Sequence, residues 1–449
     1  MKFEALKNRS IMLFGKSRAL AASEFSRLLK QHEITLSDVV TDDLEVIVEG
    51  RLINPIEQER LDALYAQKRA PIIELEPLER WLCSTIDADN LLMSLKLSGD
   101  RDRLMGYLQN IYIDNSLFLR LLKLYDWQGE GFFENDENRD ITAALISRFY
   151  ENIERNHNVQ YANMGIMHLL NQSQEGGLVE TIALLAPLQM ALREGCDNST
   201  KKILHAIALH PKSSVKVLKL WTKNGDDDIQ MLIAMRHDLS LQLQEYLLNL
   251  KKPVIDEVLS LNPTIAHTTA LLLMERFAEN VARHITLDEM LFTSLREGHA
   301  EAVAANASLS LSMQQQLLKG PLEVRLSLAK NPAIDDVVFE ELLHSGSKEV
   351  VKGLLSNPKV TSEQIEALYA QEKTAYAREI AASEKSSTAI LEELSQEGDI
   401  EVLLALAKNS ATPVALLYQF QLDSRLARAV KENASFGRHI QRDNIGWDV

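Results

Sequence analysis

Apolar and polar positions along the chain follow two different periods. In residues 1–85 short continuous apolar runs alternate with helical spacing. Ser10-Ile11-Met12-Leu13-Phe14 predicts a strand, Ala21 to Lys30 an amphipathic helix, and Leu44-Glu45-Val46-Ile47-Val48 a second strand. Pro55 to Gln67 predicts another helix, Ala70-Pro71-Ile72-Ile73-Glu74-Leu75 a third strand, and Leu78 to Ser84 a last helix carrying Trp81. Strands alternating with helices imply a small parallel sheet. Residues 86–200 read as helical: Leu91 to Leu97, Leu117 to Tyr125 and Ile141 to Arg155 carry that spacing.

From about Lys202 onwards the chain repeats itself. Asn331-Pro332 and Asn357-Pro358 stand 26 residues apart, and similar steps land on Ser383, Asn409 and Asn433. Upstream they reach Asn306, His284, Asn262, His237 and His210, with steps of 27, 25, 22, 22, 25, 26, 26, 26 and 24 along the whole series. Three residues before each marker stand Ile207, Ala234, Leu259, Val281, Val303, Leu328, Leu354, Ile380, Leu406 and Val430, all apolar. Eleven residues after it stand Trp221, Leu248, Leu273, Leu295, Leu317, Leu342, Leu368, Leu394 and Phe420, apolar again. Ala186-Pro187, 24 residues before His210, is an expected worn copy of the marker.

Each unit reads as two short helices. The first ends at the marker, where Asn is expected to take a left-handed conformation and the following Pro stops the helix. The second starts behind Ser213, Ser240, Thr286, Ser310, Asp335, Thr361, Ser387 or Thr412, read as N-caps. Thr286 with Glu289 and Thr361 with Gln364 have capping-box spacing, and Pro413 is placed at a first helical position. A pair this small cannot bury its own apolar stripe, so it must stack on its neighbours. The expected fold class is therefore mainly α: a right-handed α-solenoid of short two-helix repeats preceded by a small α/β domain. The expected boundaries are 1–85, 86–200 (a helical linker domain or irregular first repeats) and 201–449.

With those units, and strings such as Leu328-Ala329-Lys330-Asn331-Pro332 and Leu406-Ala407-Lys408-Asn409-Ser410, residues 202–440 resemble the leucine-rich repeat variant family. More loosely they resemble HEAT and armadillo solenoids. The order of elements in 1–85 is similar to a BRCT domain, a module that binds phosphopeptides or DNA ends; Pro71-Ile72-Ile73 and Trp81 carry that likeness. The resemblance implies a core Trp and a phosphate pocket to which Gly15 and Ser17 would contribute. Two departures stand against the pocket. Gln31-His32-Glu33 replaces the usual glycine pair, and Pro55-Ile56-Glu57 offers no basic residue at the start of the second helix.

Composition narrows the function. With 449 residues, 46% hydrophobic and 25% charged, the chain is neither disordered nor collagen-like, and 2 Cys exclude a disulfide scaffold. A formal charge of −16 repels phosphate backbones and anionic membranes. The apolar run Ile11 to Phe14 is too short for a signal sequence, and Leu178 to Leu192 falls short of the roughly 20 apolar residues of a membrane span. A cytoplasmic location is expected.

Candidate chemistry is sparse. Phe14-Gly15-Lys16-Ser17 ends like a P-loop, but Ser10 stands where the first glycine is needed. Asp136, Asn138 and Asp140 alternate like a calcium loop, yet Ile141 and Ser147 occupy its Gly and Glu positions. Asp140 or Asn138 is expected to cap the next helix instead. His205 with His210, and Glu154 with His157, lack convergent partners, and turn-capping accounts for His210, His237 and His284. Phe132, Phe133, Phe149, Tyr150 and Tyr161 with Arg139, Arg148 and Arg155 could stack single-stranded nucleic acid, but Ile146, Phe149 and Tyr150 have core spacing. No catalytic, cofactor-binding or metal residue is nominated.

The expected function is a non-enzymatic scaffold that binds a protein with a basic surface. The alternatives are a nucleic-acid or DNA-repair associated protein, which needs a Lys/Arg stripe, and a solenoid enzyme of the glycosylase or lyase kind.

Overall fold

The computed structural model describes residues 3–127, 133, 136–150 and 162–442. Phe132, Glu154, Arg155, His157 and Tyr161, weighed above, lie outside them. The chain is mainly α with one small sheet, and divides into two compact units, Met1–Ile233 and Ala234–Val449. Among the described residues no helix is long and apolar enough to cross a membrane.

The first unit opens on a four-stranded parallel sheet: β1 (Ser10–Phe14), β2 (Thr35–Leu36), β3 (Leu44–Glu49) and β4 (Ile72–Glu74), in the order β2-β1-β3-β4. Ile11 to Phe14 register with Val46 to Glu49 of β3. A central parallel strand is covered on both faces, which is why Ile11 to Phe14 of β1 and Val46 to Val48 of β3 are continuous apolar runs. Met12, Phe14 and Ile47 form a core with Leu61 and Leu64 of the helix α2 (Pro55–Gln67). Side-chain alternation turns the buried Ile11, Val46 and Val48 to the other face, and α1 (Ala22–Gln31) packs on β2 and on α3 (Leu75–Ser84). Asn54 and Glu57 close a reciprocal capping box on α2 behind Pro55.

The expected strands and helices of this region stand where the periodicity put them; β2 was not anticipated. It is two exposed residues whose pairing is dictated by β1 rather than by their own composition. Trp81 is not a core residue: it is half-buried, against His32 (ring centroids 4.5 Å apart) and Phe3 (5.6 Å). Glu33 takes φ 57°, the left-handed turn a glycine would serve more cheaply. Helices α4 (Ala88–Ser98), α5 (Arg101–Leu108) and α6 (Asn115–Leu122) follow.

The second unit is a stack of helical pairs. Leu328, Leu354, Ile380 and Leu406 are all 0% exposed at equivalent places in successive layers, as are Leu259, Val281, Val303 and Val430. The column eleven residues after the marker is buried at Leu273, Leu295, Leu317, Leu342, Leu394 and Phe420. Leu248 and Leu368 are half-buried, and their neighbours Leu247 and Tyr369 occupy the interior instead.

The two steps of 22 have a structural cause. In His267–His284 and Glu289–Ala304 the second helix of one pair runs straight into the first helix of the next. The only break is a single kink, at Phe277 (φ −128°, ψ 39°) and at His299 (φ −134°, ψ 35°). A missing connection of about one helical turn, not a different fold, shortens these units.

Several capping expectations are corrected. Ser240, Ser310, Asp335 and Thr361 cap their helices, and Thr361 with Gln364 is a true capping box. Ser214 caps in place of Ser213 and Asp288 in place of Thr286, whereas Ser387 makes no cap bond and Pro413 is itself the capping residue. The displaced hydroxyls have a different task. Ser213, Ser386 and Thr412 donate to the carbonyls of Ile207, Ile380 and Leu406, at 2.5, 2.6 and 2.7 Å. Each pins the loop back on the helix it has just left. Pro187 starts a helix (Ala186–Glu194) instead of ending one, so Ala186-Pro187 is not a marker.

Candidate functional site

What the repeat marker does is visible only across layers. The Nδ2 group of Asn331 donates to the carbonyls of Ala304 and Asn306, at 2.9 and 2.8 Å. Asn357 does the same to Ala329 and Asn331 (both 2.8 Å), and Asn433 to Ala407 and Asn409 (3.0 and 2.9 Å). Asn262, Asn306 and Asn409 complete the series. The Oδ1 of each accepts the N–H two residues on, as at Ala333 (2.9 Å) and Ala411 (2.8 Å). One buried amide thus satisfies its own turn and two carbonyls of the preceding layer.

The expected left-handed backbone is absent: Asn331, Asn409 and Asn433 have φ near −70° (−68°, −71° and −73°) with ψ of 118°, 123° and 117°. Asn is selected for its side chain, not its backbone tolerance. No reading of one unit could show this, because the partners lie 21 to 28 residues away.

The ladder also corrects one marker. Asn262 reaches Ala234 and Arg236, so the equivalent position is Arg236 and not His237. The neighbouring steps become 26 and 26, and Ile233 and Leu247 (both 0% exposed) move into the two apolar columns. Arg236 is buried and forks onto Asp238 at 2.8 and 2.6 Å. In the first unit His210 copies the asparagine with an imidazole. Its Nδ1 accepts the Lys212 N–H and its Nε2 lies 3.0 Å from the Leu170 carbonyl. That assigns the proton to Nε2. His210 is therefore structural and does not meet His205.

The asparagine bridge is missing where the marker is the exposed His284, and again at Ser383. Ser383 is too short to span the layers, and Lys385 substitutes, its Nζ donating to the Pro358 and Val360 carbonyls at 2.6 and 2.7 Å. The first helices on either side, Lys348–Leu355 and Ala377–Ala382, pack more loosely than the pairs flanking them. A groove of about 450 Å³ opens there, floored by Leu355, Asn357 and Ser383 and rimmed by Glu379 and Glu384. A second hollow of about 330 Å³ shares Ala382 and Glu384 and reaches Glu401 and Lys408. Glu384 accepts from Ser410 (2.6 Å) and Arg378 faces Glu401 (3.6 Å).

In the sheet domain of the first unit two buried side chains are carboxylic acids, Glu24 and Glu79. Glu24 of α1, 8% exposed, accepts from Arg103 (2.6 Å) and Tyr107 (2.5 Å) of α5 and from Arg27 (2.9 Å). Burial works against its ionisation, but the bonds from Tyr107, Arg103 and Arg27 outweigh it and hold the carboxyl below its usual range. Burial, reinforced by Glu24, pushes the Tyr107 hydroxyl up to about 12. The cluster docks the sheet domain on α5.

The remaining candidates resolve as structure. The turn Phe14-Gly15-Lys16-Ser17 is tied to β3 by Lys16–Arg51 pairing (2.7 and 3.0 Å), and a Cβ on Gly15 (φ +76°) would stand 2.4 Å from the Arg51 carbonyl. Asn138 precedes the helix Arg139–Phe149 without a cap bond; it accepts from Tyr125 at 3.2 Å. Ile146 and Tyr150 are buried, and Arg148 is spent on the Ile113 and Asn110 carbonyls (2.7 and 2.6 Å). Among the described residues no three His, Cys, Asp or Glu side chains converge as a metal site. Compared with known proteins, the chain matches no protein-family model, no curated protein and no solved structure.

Proposed function

We propose that this protein is a non-enzymatic helical-repeat scaffold of the leucine-rich repeat variant or HEAT-like kind. It holds a protein partner along the solenoid of residues 201–449, with the BRCT-like 1–85 region as a second contact and 86–200 connecting the two. The observation that carries this reading is the amide ladder. It fixes successive pairs at one spacing and so presents equivalent surface positions in a regular row. A basic segment is the partner chemistry that fits best. The acidic excess favours it, and the groove at the Ser383 joint carries Glu379 and Glu384 beside Lys385, with Glu401 in the adjoining hollow that Arg378 and Lys408 share.

The nucleic-acid alternative needs uncommitted cations. Lys348, Lys359, Lys373, Arg425 and Arg428 instead face Glu372, Asp336, Glu393, Asp423 and Glu432, between 2.5 and 3.0 Å.

Affinity capture from the native cell with the full chain, followed by cross-linking, tests the proposal. The expected result is a specific protein cross-linked within 355–409 through its own lysines or an adjoining basic stretch, and lost in a Glu379→Lys, Glu384→Lys variant. Recovery of nucleic acid alone, released by salt, would replace it with the alternative.

A further inference from the structure

The turn between β1 and α1 is built to receive an anion. Ser17 Oγ donates to Oε1 of Glu79, and the Arg18 and Ala19 N–H groups donate to the same oxygen, at 2.9 and 3.0 Å. Ser17 Oγ in turn accepts the Leu20 N–H at 3.0 Å, which leaves its proton directed at the carboxylate. Consecutive backbone N–H groups and a hydroxyl converging on one oxygen make an anion-binding concavity. Glu79 comes from α3 and is 1% exposed. A carboxylate cannot be buried so completely without such donors.

We propose that this turn is an anion receptor whose permanent ligand is the chain's own Glu79. The receptor fixes α3 to the sheet domain and is closed to phosphate-bearing partners. The surroundings agree. The cavity of about 280 Å³ beside the cradle contains Arg18 and Arg51, but Glu49, Glu74 and Glu76 share its wall with Glu79. A second anion approaching the occupied cradle meets four carboxyl groups against two guanidinium groups. The ligand arrives covalently attached, so no diffusible anion at ordinary concentration competes with it.

The test uses the full chain with inorganic phosphate as the probe, against chloride of equal ionic strength. In the wild type, phosphate is expected to produce no specific rise in Tm and no movement of the Arg18 and Ala19 amide resonances. Glu79→Ser removes the ligand and opens the cradle. It is expected to melt lower than wild type and to regain a few degrees with phosphate but not chloride. Adding Ser17→Ala to that variant is expected to abolish the regain. Glu79→Gln, which keeps the cradle filled, is expected to ignore phosphate. A phosphate-specific shift of the Arg18 and Ala19 amides in the wild type, lost on Ser17→Ala, would overturn the proposal even if Glu79→Ser does not fold. A folded Glu79→Ser chain indifferent to phosphate would overturn it as well.

Discussion

The sheet domain and the repeat array both join separate elements through buried polar groups, with opposite chemistry. In the first, charges do it: Glu24 gathers Arg27, Arg103 and Tyr107, and Glu79 fills the turn after β1. In the second, neutral amides do it, with the same Asn geometry at Asn262, Asn306, Asn331, Asn357, Asn409 and Asn433. A buried charge needs its own set of donors and is specific to one place. A neutral amide adds no charge, so it can be used layer after layer without accumulating repulsion.

That contrast can be broken at its strongest point first. Glu24→Ala strands Arg103 and the Tyr107 hydroxyl, and is expected to cost about 3 kcal/mol or more, read from urea unfolding. A loss below about 1 kcal/mol would show the cluster to be solvated like a surface pair. Asn357→Ala removes the side-chain donor of the Ala329 carbonyl and leaves the Asn331 carbonyl only the Ile334 N–H; it is expected to cost about 2 kcal/mol. Asn331→Ala should cost the same alone, but the pair should fall short of additivity, because the Asn331 side chain holds the turn whose backbone carbonyl accepts from Asn357.

Acid separates the two regions further. The Glu24 carboxyl lies lower in the fold than in the unfolded chain, so its contribution is fully present above the unfolded value, about pH 4.3, and disappears as pH falls through the folded one. The ladder amides do not titrate. Hydrogen exchange at pH 3 is expected to open the α1–α5 contact while amides around 328–357 stay protected. Ser383→Asn runs in the other direction. By giving this joint an asparagine it is expected to add about 1 kcal/mol and to slow exchange of the amides there. The smallest effect is chemical. Cys83 is buried, with its thiol pushed up to about 11 by burial, while Cys196 is exposed. One rapid maleimide addition, at Cys196, is expected in the native protein.

Much of this was legible beforehand because burial imprints itself on a sequence one position at a time. The columns at Leu328, Leu354, Ile380 and Leu406, and the runs of β1 and β3, needed no partner to be read. What escaped depends on something distant. The Asn side chains answer carbonyls a whole unit away, so their spacing was visible and their task was not. Arg236 stands where the other layers carry a short polar residue, and the His237 beside it has the marker's look in sequence without its place in the ladder. Glu79 looked like any helix surface acid, since nothing nearby in sequence reveals that a turn some 60 residues earlier encloses it.

The ladder also has a sense of direction. A layer that carries the asparagine passes its nitrogen backwards and leaves two oxygens for its successor, so such a segment holds one half of two matching fasteners. Copying residues 307–331 in tandem would give a newcomer whose Asn finds oxygens on the original and whose own oxygens are met by Asn357. An array fastened in this way can lengthen by duplication of its gene without inventing a single new contact.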